Sequence, residues 1–240
     1  MQEQLVNIVF EDDRLLVVNK PANLVCHPSK TGPLSSLVGR VRAYLGRAEA
    51  FMVNRLDRET SGLMLVAKDA AMAAQLHRAF QKKQVIKEYL AIVHGGVAEE
   101  HGTIEAPIGL ARGREVAIKR GVEADGQHAL TEWWVEQRAA QFTMLRVRLH
   151  TGRAHQIRVH LAHIGHPVVG DKIYGGDERL YLRFIETGVT PELLEKLLLP
   201  RQALHAERLV VPYGQPEPVE WLAPLAPDLE EFWRSVKAGG

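Results

Sequence analysis

Near the start of the chain, hydrophobic residues fall in short blocks rather than long runs. Residues 5–10 and 15–19 are apolar and are separated by the charged Glu11-Asp12-Asp13-Arg14, which predicts two strands joined by a tight turn. Lys20-Pro21-Ala22-Asn23 breaks the pattern. A further β-prone block, residues 63–67, follows the turn-like Thr60-Ser61-Gly62. At Asp69 the period changes. Ala73, Leu76 and Phe80 share one helical face, Asp69 suits an N-cap, and Lys82 and Lys83 suit the C-terminal end of the dipole, predicting a helix to about Lys83.

The second half has the same mixture. Residues 89–93 read as a strand ended by Gly95-Gly96, and residues 131–135 and 142–149 as an antiparallel pair. In the latter, Leu145, Val147 and Leu149 alternate with Arg146 and Arg148, so one face is buried and the other basic. Trp133-Trp134 places one ring on each face. Residues 155–164 are helix-like, with Ile157, Leu161 and Ile164 at i, i+4, i+7, and residues 191–199 begin a helix with proline at N1. Strands give way to helices without βαβ regularity. The expected class is α+β with a mostly antiparallel sheet.

No repeat or linker divides the 240 residues, so one compact domain over 1–240 is expected, with its main motifs in about 5–213 and residues 214–240 packing on it. A 46% hydrophobic share and 25% charged residues match a globular protein and exclude a disordered or fibrous one. The net charge of +1 excludes a histone-like tail but not an enzyme acting on nucleic acid, which needs only a local basic surface. The lone Cys26 excludes an intramolecular disulfide or cysteine-built zinc site. Residues 1–10 lack a signal-peptide pattern, and apolar runs fall far short of the ~20 residues of a membrane span. A soluble, cytoplasmic protein is expected.

Three segments could carry chemistry. In VNRLDRETSGLMLVAKD, residues 53–69, Asp57 lies between Arg55 and Arg58 just before a strand. Flanking cations keep a carboxylate ionised, as a nucleophile or base requires; taken alone, the pattern favours an Arg–Asp pair closing a turn. The stretch 137–170 holds five arginines (138, 146, 148, 153 and 158), five histidines and no acid, which suggests a phosphate-facing surface or simply a solvated face. His160 and His163 are spaced for one helix face, but no Asp, Glu or Cys accompanies them in that stretch, and H-E-x-x-H is absent. Tyr89 in Lys87-Glu88-Tyr89 is either a core residue or a platform for a nucleobase. Phosphate-loop, dinucleotide and serine-hydrolase signatures are missing.

In order and spacing these segments resemble the RluA family of RNA pseudouridine synthases. The likeness runs through FEDDRLLVVNKPANLVCHP (10–28), NRLDRETSGLMLVAKD (54–69), KEYLAIVHG (87–95), TGRAHQIRVHLAHIGHPVVGDKIYG (151–175) and LHAERL (204–209), with R-L-D-x-x-T-S-G its most specific part.

The resemblance implies the pseudouridine synthase catalytic fold and isomerisation of uridine to pseudouridine in structured ribosomal or transfer RNA, without cofactor or metal; separately, a monomer is expected. Asp57 matches the catalytic aspartate, as nucleophile or base. Tyr89 matches the tyrosine that stacks on the target base and is a candidate for handling the C5 proton. Arg158 matches the arginine that pairs with the aspartate, with Arg153 as second choice. Arg55 could fill the space left by the flipped base. Arg146, Arg148 and Arg153 are expected to hold the RNA backbone, with His155 and Gln156 in binding or support.

Asn54 stands where most members have histidine. The accessory N-terminal RNA-binding domain of many members is expected to be missing, since the resemblance begins by about residue 5. RNA selection would then fall to the body and to residues 109–126 and 177–201. The rival readings are an RNA-binding protein that lost catalysis and, less favoured, a histidine-bound metal-dependent RNA hydrolase.

Overall fold

The computed structural model describes residues 5–27 and 32–238. Pro28, which ends the first motif stretch, lies outside the described residues, as do the ends of the expected 1–240 domain. The chain forms two compact units, each built from separate stretches: residues 1–87 with 205–226, and residues 88–204 with 227–240.

In chain order, β1 (Ile8–Glu11), β2 (Leu15–Lys20), α1 (Leu37–Leu45), β3 (Phe51–Met52), β4 (Ser61–Ala67) and α2 (Ala70–Gln81) belong to the first unit. Next come β5 (Ile86–His94), β6 (His101–Glu105), β7 (Ile108–Leu110), β8 (Arg120–Val122), β9 (Leu130–Ala139) and β10 (Phe142–Leu149). They are followed by α3 (Gln156–His163), α4 (Arg179–Thr187) and α5 (Pro191–Leu197). β11 (Leu204–Val211) and β12 (Val219–Leu222) return to the first unit, and α6 (Pro227–Ala238) to the second.

In the first unit the strand order is β1-β2-β4-β11, with β3 also on β4 and β12 also on β11. Every pair is antiparallel except β4–β11, where Ser61 faces His205 and Gly62 faces Ala206 in parallel register. All seven residues of β4 are buried, as are Leu15–Val18 of β2. A strand covered on both faces reads as a continuous apolar run. On one side Leu15, Val17, Leu63 and Leu65 pack with Met72, Ala73 and Leu76 of α2. On the other, Leu16, Val18, Met64 and Val66 pack with Leu37, Val38 and Val41 of α1.

The helix expected after Asp69 starts there, with the Asp69 carboxylate accepting the Met72 N–H at 2.7 Å. It ends at Gln81, short of the expected Lys83, whose backbone turns left-handed (φ 56°).

In the second unit β5-β10-β9-β6 form an antiparallel sheet, and β7 pairs with β8. Leu145 and Val147 of β10 are fully buried while Arg146 and Arg148 lie on the other face, half-exposed. Trp133 is buried and Trp134 half-exposed, as alternation along β9 requires. Thr190 caps α5 ahead of Pro191, and the helix ends at Leu197 because Leu198 adopts φ 67°. The C-terminal residues divide: β12 pairs with β11, whereas α6 packs Phe232 edge-on against Phe142 at 5.4 Å and donates from Trp233 Nε1 to Gln137 at 2.8 Å. Helices flank mostly antiparallel sheet, so the class is α+β.

The β1–β2 turn shows how polar groups close this architecture. Asp12 Oδ1 accepts the N–H groups of Arg14 and Leu15, both at 2.8 Å, and Oδ2 accepts the Tyr213 hydroxyl at 2.6 Å. Burial would raise the Asp12 carboxyl, but these bonds outweigh it and hold it below the ordinary carboxylate range. A depressed carboxylate stabilises the fold above its unfolded pKa of about 3.9, and that contribution is lost as pH falls through the folded value. Tyr213→Phe is therefore expected to cost about 1 kcal/mol at pH 7, with a smaller deficit below about pH 4. Denaturant unfolding at both pH values checks this; an equal deficit at each would remove Tyr213 from the account.

Candidate active site

Asp57 sits in the segment between β3 and β4, half-buried, with Arg55 and Arg58 exposed on either side of it. Several groups hold this segment. Its own turn closes with the Thr60 N–H on the Asp57 carbonyl at 3.2 Å. Asn54 behaves as a piece of strand: its Oδ1 accepts the Leu65 N–H at 2.8 Å and its Nδ2 donates to the Leu63 carbonyl at 3.4 Å. The residue that replaces the usual histidine is thus tied to backbone.

Cys26, buried, donates to the Leu56 carbonyl at 3.2 Å. Lys20 is fully buried at the end of β2, and its ammonium donates to the carbonyls of Pro21 (2.8 Å), Leu24 (2.9 Å) and Arg58 (3.2 Å).

The T-S-G that follows has a structural reason. Ser61 Oγ lies 2.9 Å from His205 Nδ1, and Gly62 has φ 115° against the backbone of β11. A Cβ on Gly62 would lie 2.2 Å from the Ala206 carbonyl oxygen. Only glycine permits the parallel approach. Two of the motif stretches, T-S-G and L-H-A, are therefore two sides of one strand pairing.

In the second unit, Tyr89 lies buried on β5 opposite Val147, and Arg148 pairs in register with Glu88. The basic face read for β10 is balanced by acids on its neighbours. Arg148 donates to Glu88 from both Nε (2.9 Å) and Nη2, and rests over the Trp134 ring at 5.3 Å. Arg146 lies 3.6 Å from Glu88 and donates through Nε to Glu136 on β9. Glu88 is 4% exposed, and a carboxylate so placed needs adjacent cations. Local charge counting credited these arginines to a phosphate-facing surface; their nearest ions are carboxylates from across the sheet.

The remaining residues of interest surround the start of α3. Arg153 is exposed, with its Nε on the His128 carbonyl at 2.9 Å. Gln156 is buried and all four of its side-chain bonds are internal: it accepts from Thr151 (2.8 Å) and the Arg153 N–H (3.0 Å) and donates to Leu130 (3.0 Å) and Thr131 (2.9 Å). It supports the loop that carries Arg153 rather than offering a polar edge outward. His155 turns the chain into the helix with φ 59°, its Nδ1 2.8 Å from the Tyr174 hydroxyl. His160 is fully buried between Thr131 and the Ala106 carbonyl, and burial pushes it below the usual imidazole range. Among the described residues no three His, Cys, Asp or Glu side chains are grouped to hold a metal ion, and no helix is long and apolar enough to cross a membrane.

Arg158, 6% exposed, meets a partner that sequence reasoning passed over. Its Nε and Nη2 donate to Asp171 at 2.6 and 2.9 Å. Burial alone would raise the Asp171 carboxyl; the Arg158 charge, its hydrogen bonds and the N–H groups of Ile173 and Tyr174 outweigh that and hold it low. The Tyr174 ring lies 4.9 Å beneath the guanidinium. Asp171 stands one residue beyond the acid-free stretch, where a strictly local count could not join it to Arg158.

The sequence pattern of the RNA pseudouridylate synthase family matches residues 14–163. The ribosomal large subunit pseudouridine synthase D of Haemophilus influenzae is 38% identical over 239 residues, 97% of this chain and 71% of that one. That of Vibrio cholerae is 40% identical over 245 residues, covering 98% and 72%. Among solved structures, human RNA pseudouridylate synthase domain containing 4 superposes with a TM-score of 0.75 at 25% identity, covering 96% of this chain and 92% of that one. For domain containing 1 the TM-score is 0.72 at 25% identity, covering 99% and 98%.

The hold on the Asp57 segment is open to test. Lys20→Met should leave three carbonyls without their donor and cost on the order of 3 kcal/mol. Hydrogen exchange should show the amides of residues 55–60 opening before those of α2. Wild-type protection across 55–60 would show that Lys20 does not hold the segment.

Proposed function

The chain belongs to the RNA pseudouridylate synthase family, and from that premise we propose that it isomerises uridine to pseudouridine in the RNA of the large ribosomal subunit, with Asp57 as its catalytic carboxylate. The observation that carries this reading is the likeness, over 97% of the chain, to enzymes named for the large ribosomal subunit, at 38% identity and with R-L-D-x-x-T-S-G intact. The activity of the family is isomerase chemistry on RNA. The N1–C1′ bond breaks, the uracil turns over and a C5–C1′ bond forms; C5 gives up a proton and N1 ends with one, so no atom is gained or lost.

In this reading Asp57 acts on the sugar as nucleophile or base. Tyr89 presents its ring to the base, and its phenol is the candidate for the C5 proton. Arg158 supplies the cationic counterpart to the catalytic carboxylate. Support for the first role comes from the immobilised segment around Asp57: a reacting carboxylate gains from a backbone that does not move. Extruding the target base costs a few kcal/mol, which favours loops and bulges over perfect duplex.

The exposed Arg55 and Arg153 are the arginines best placed to meet phosphate, with Arg55 also able to fill the gap the base leaves. Arg146 and Arg148, facing Glu88 and Glu136, would contribute less to the salt dependence of binding. The lone buried cysteine fits work in the reducing cytoplasm.

The test is carbodiimide mapping of ribosomal RNA from a strain lacking the gene, complemented with wild type, Asp57→Asn or Tyr89→Phe. Wild type should restore a missing pseudouridine in the large-subunit RNA. Asp57→Asn should not, while binding the RNA within a few-fold of wild type; Tyr89→Phe should be slowed if the hydroxyl moves the proton. Restoration by Asp57→Asn would overturn the assignment, and an unchanged large-subunit RNA would overturn the target.

A further inference from the structure

We propose that Asp171 and Tyr174 are positioning residues for this reaction: together they set the direction in which Arg158 presents its guanidinium. The inference rests on the role given above to Arg158.

Three observations lead to it. First, Asp171 takes the guanidinium by one edge, through Nε and Nη2 at 2.6 and 2.9 Å. A bidentate grip on a planar group fixes the plane, so the direction of the remaining N–H groups no longer depends on the flexible stem.

Second, the carboxylate itself cannot turn. Its Oδ1 also accepts the N–H groups of Ile173 (2.9 Å) and Tyr174 (3.1 Å), and the Asp171 carbonyl accepts the Gly175 N–H at 3.0 Å. Third, the face of the guanidinium is braced by the Tyr174 ring, 4.9 Å from Cζ. That ring is pinned at its far end, where its hydroxyl accepts the Arg120 N–H at 2.9 Å and meets His155 Nδ1 at 2.8 Å. Edge, face and the support of each are therefore fixed by residues 171–175, the start of α3 and Arg120 at the start of β8.

Stability alone does not account for so much machinery. A buried ion pair is commonly no more stabilising than well-packed apolar residues of the same volume, whereas a site that must aim a charge gains from a rigid second layer of contacts. The D-x-x-Y spacing inside G-D-K-I-Y-G lets one tight turn supply both the acid that grips the edge and the ring that braces the face.

The experiment measures single-turnover rate and RNA affinity on a large-subunit RNA fragment for Asp171→Asn, Tyr174→Leu, Arg158→Lys and the double variant Asp171→Asn/Arg158→Lys. Asp171→Asn and Tyr174→Leu should each slow the chemical step at least tenfold while Kd stays within about threefold. The double variant should be no more than about threefold slower than Arg158→Lys alone, because both changes disturb one group.

Losses that fall equally on rate, affinity and melting temperature, and that add in the double variant, would overturn the inference and leave Asp171 as scaffolding. If Asp171→Asn does not fold, Tyr174→Leu decides, and a wild-type rate there overturns the proposal. Wild-type turnover by Arg158→Lys would instead strike down the role of Arg158, and this inference with it. Slow turnover by Arg158→Lys beside a normal rate in Asp171→Asn and Tyr174→Leu would remove the inference alone.

Discussion

Charge taken out of water sets the terms for much of this structure. Arg158 and Asp171 are both nearly dehydrated, and the Arg158 charge, with the N–H groups of Ile173 and Tyr174, offsets the cost of burying the Asp171 carboxylate. The same demand recurs at Glu88, held beside Arg146 and Arg148, and at Lys20, whose ammonium is ringed by main-chain carbonyls. Each of these groups ties together segments far apart in the chain. Lys20 joins the end of β2 to the segment bearing Asp57, Glu88 joins β5 to β10, and Asp171 joins the turn after α3 to the helix itself. Polar contacts of this kind specify geometry more sharply than apolar packing, which tolerates small shifts.

Much of the fold was legible from periodicity. The apolar blocks of β2 and β4, the Asp69 cap and the alternating face of β10 all express local rules that need no knowledge of partners. α1 escaped notice because its buried residues, Leu37, Val38 and Val41, make a stripe too short to stand out. The parallel β4–β11 pair escaped because nothing local announces which strands will lie side by side.

At the site, residue types were readable but partnerships were not. Arg148, expected on the RNA backbone, meets Glu88 in register across the sheet. Gln156, expected in binding or support, makes all four of its side-chain bonds inside the protein. Asn54, which departs from the family pattern, does what an amide can still do there: it hydrogen-bonds neighbouring backbone, in the manner of a strand edge. The signal for Asp171 is its place in G-D-K-I-Y-G, where it is the first acidic residue after Arg158.

The residues around Asp57 thus divide by task. Thr60, Ser61 and Gly62 secure a turn and a close strand approach, and Lys20, Cys26 and Asn54 immobilise what precedes them. Asp57 lies in the segment that these contacts hold. A short motif can be demanding at every letter for several unrelated physical reasons, so the weight of a match comes from meeting all of them at once.

The way β11 completes the first unit bears on how the protein is made. Its partner strand β4 is finished by residue 67, yet β11 lies beyond residue 203. On a ribosome, the early strands must wait for well over a hundred further residues before the Ser61–Gly62 end of β4 receives its neighbour, because β3 covers only residues 66 and 67 of that edge. An exposed edge of apolar sequence held open that long invites wrong pairing. The half of the molecule translated first is therefore among the last to be finished, and nascent chains stalled before residue 204 are the form most in need of a chaperone.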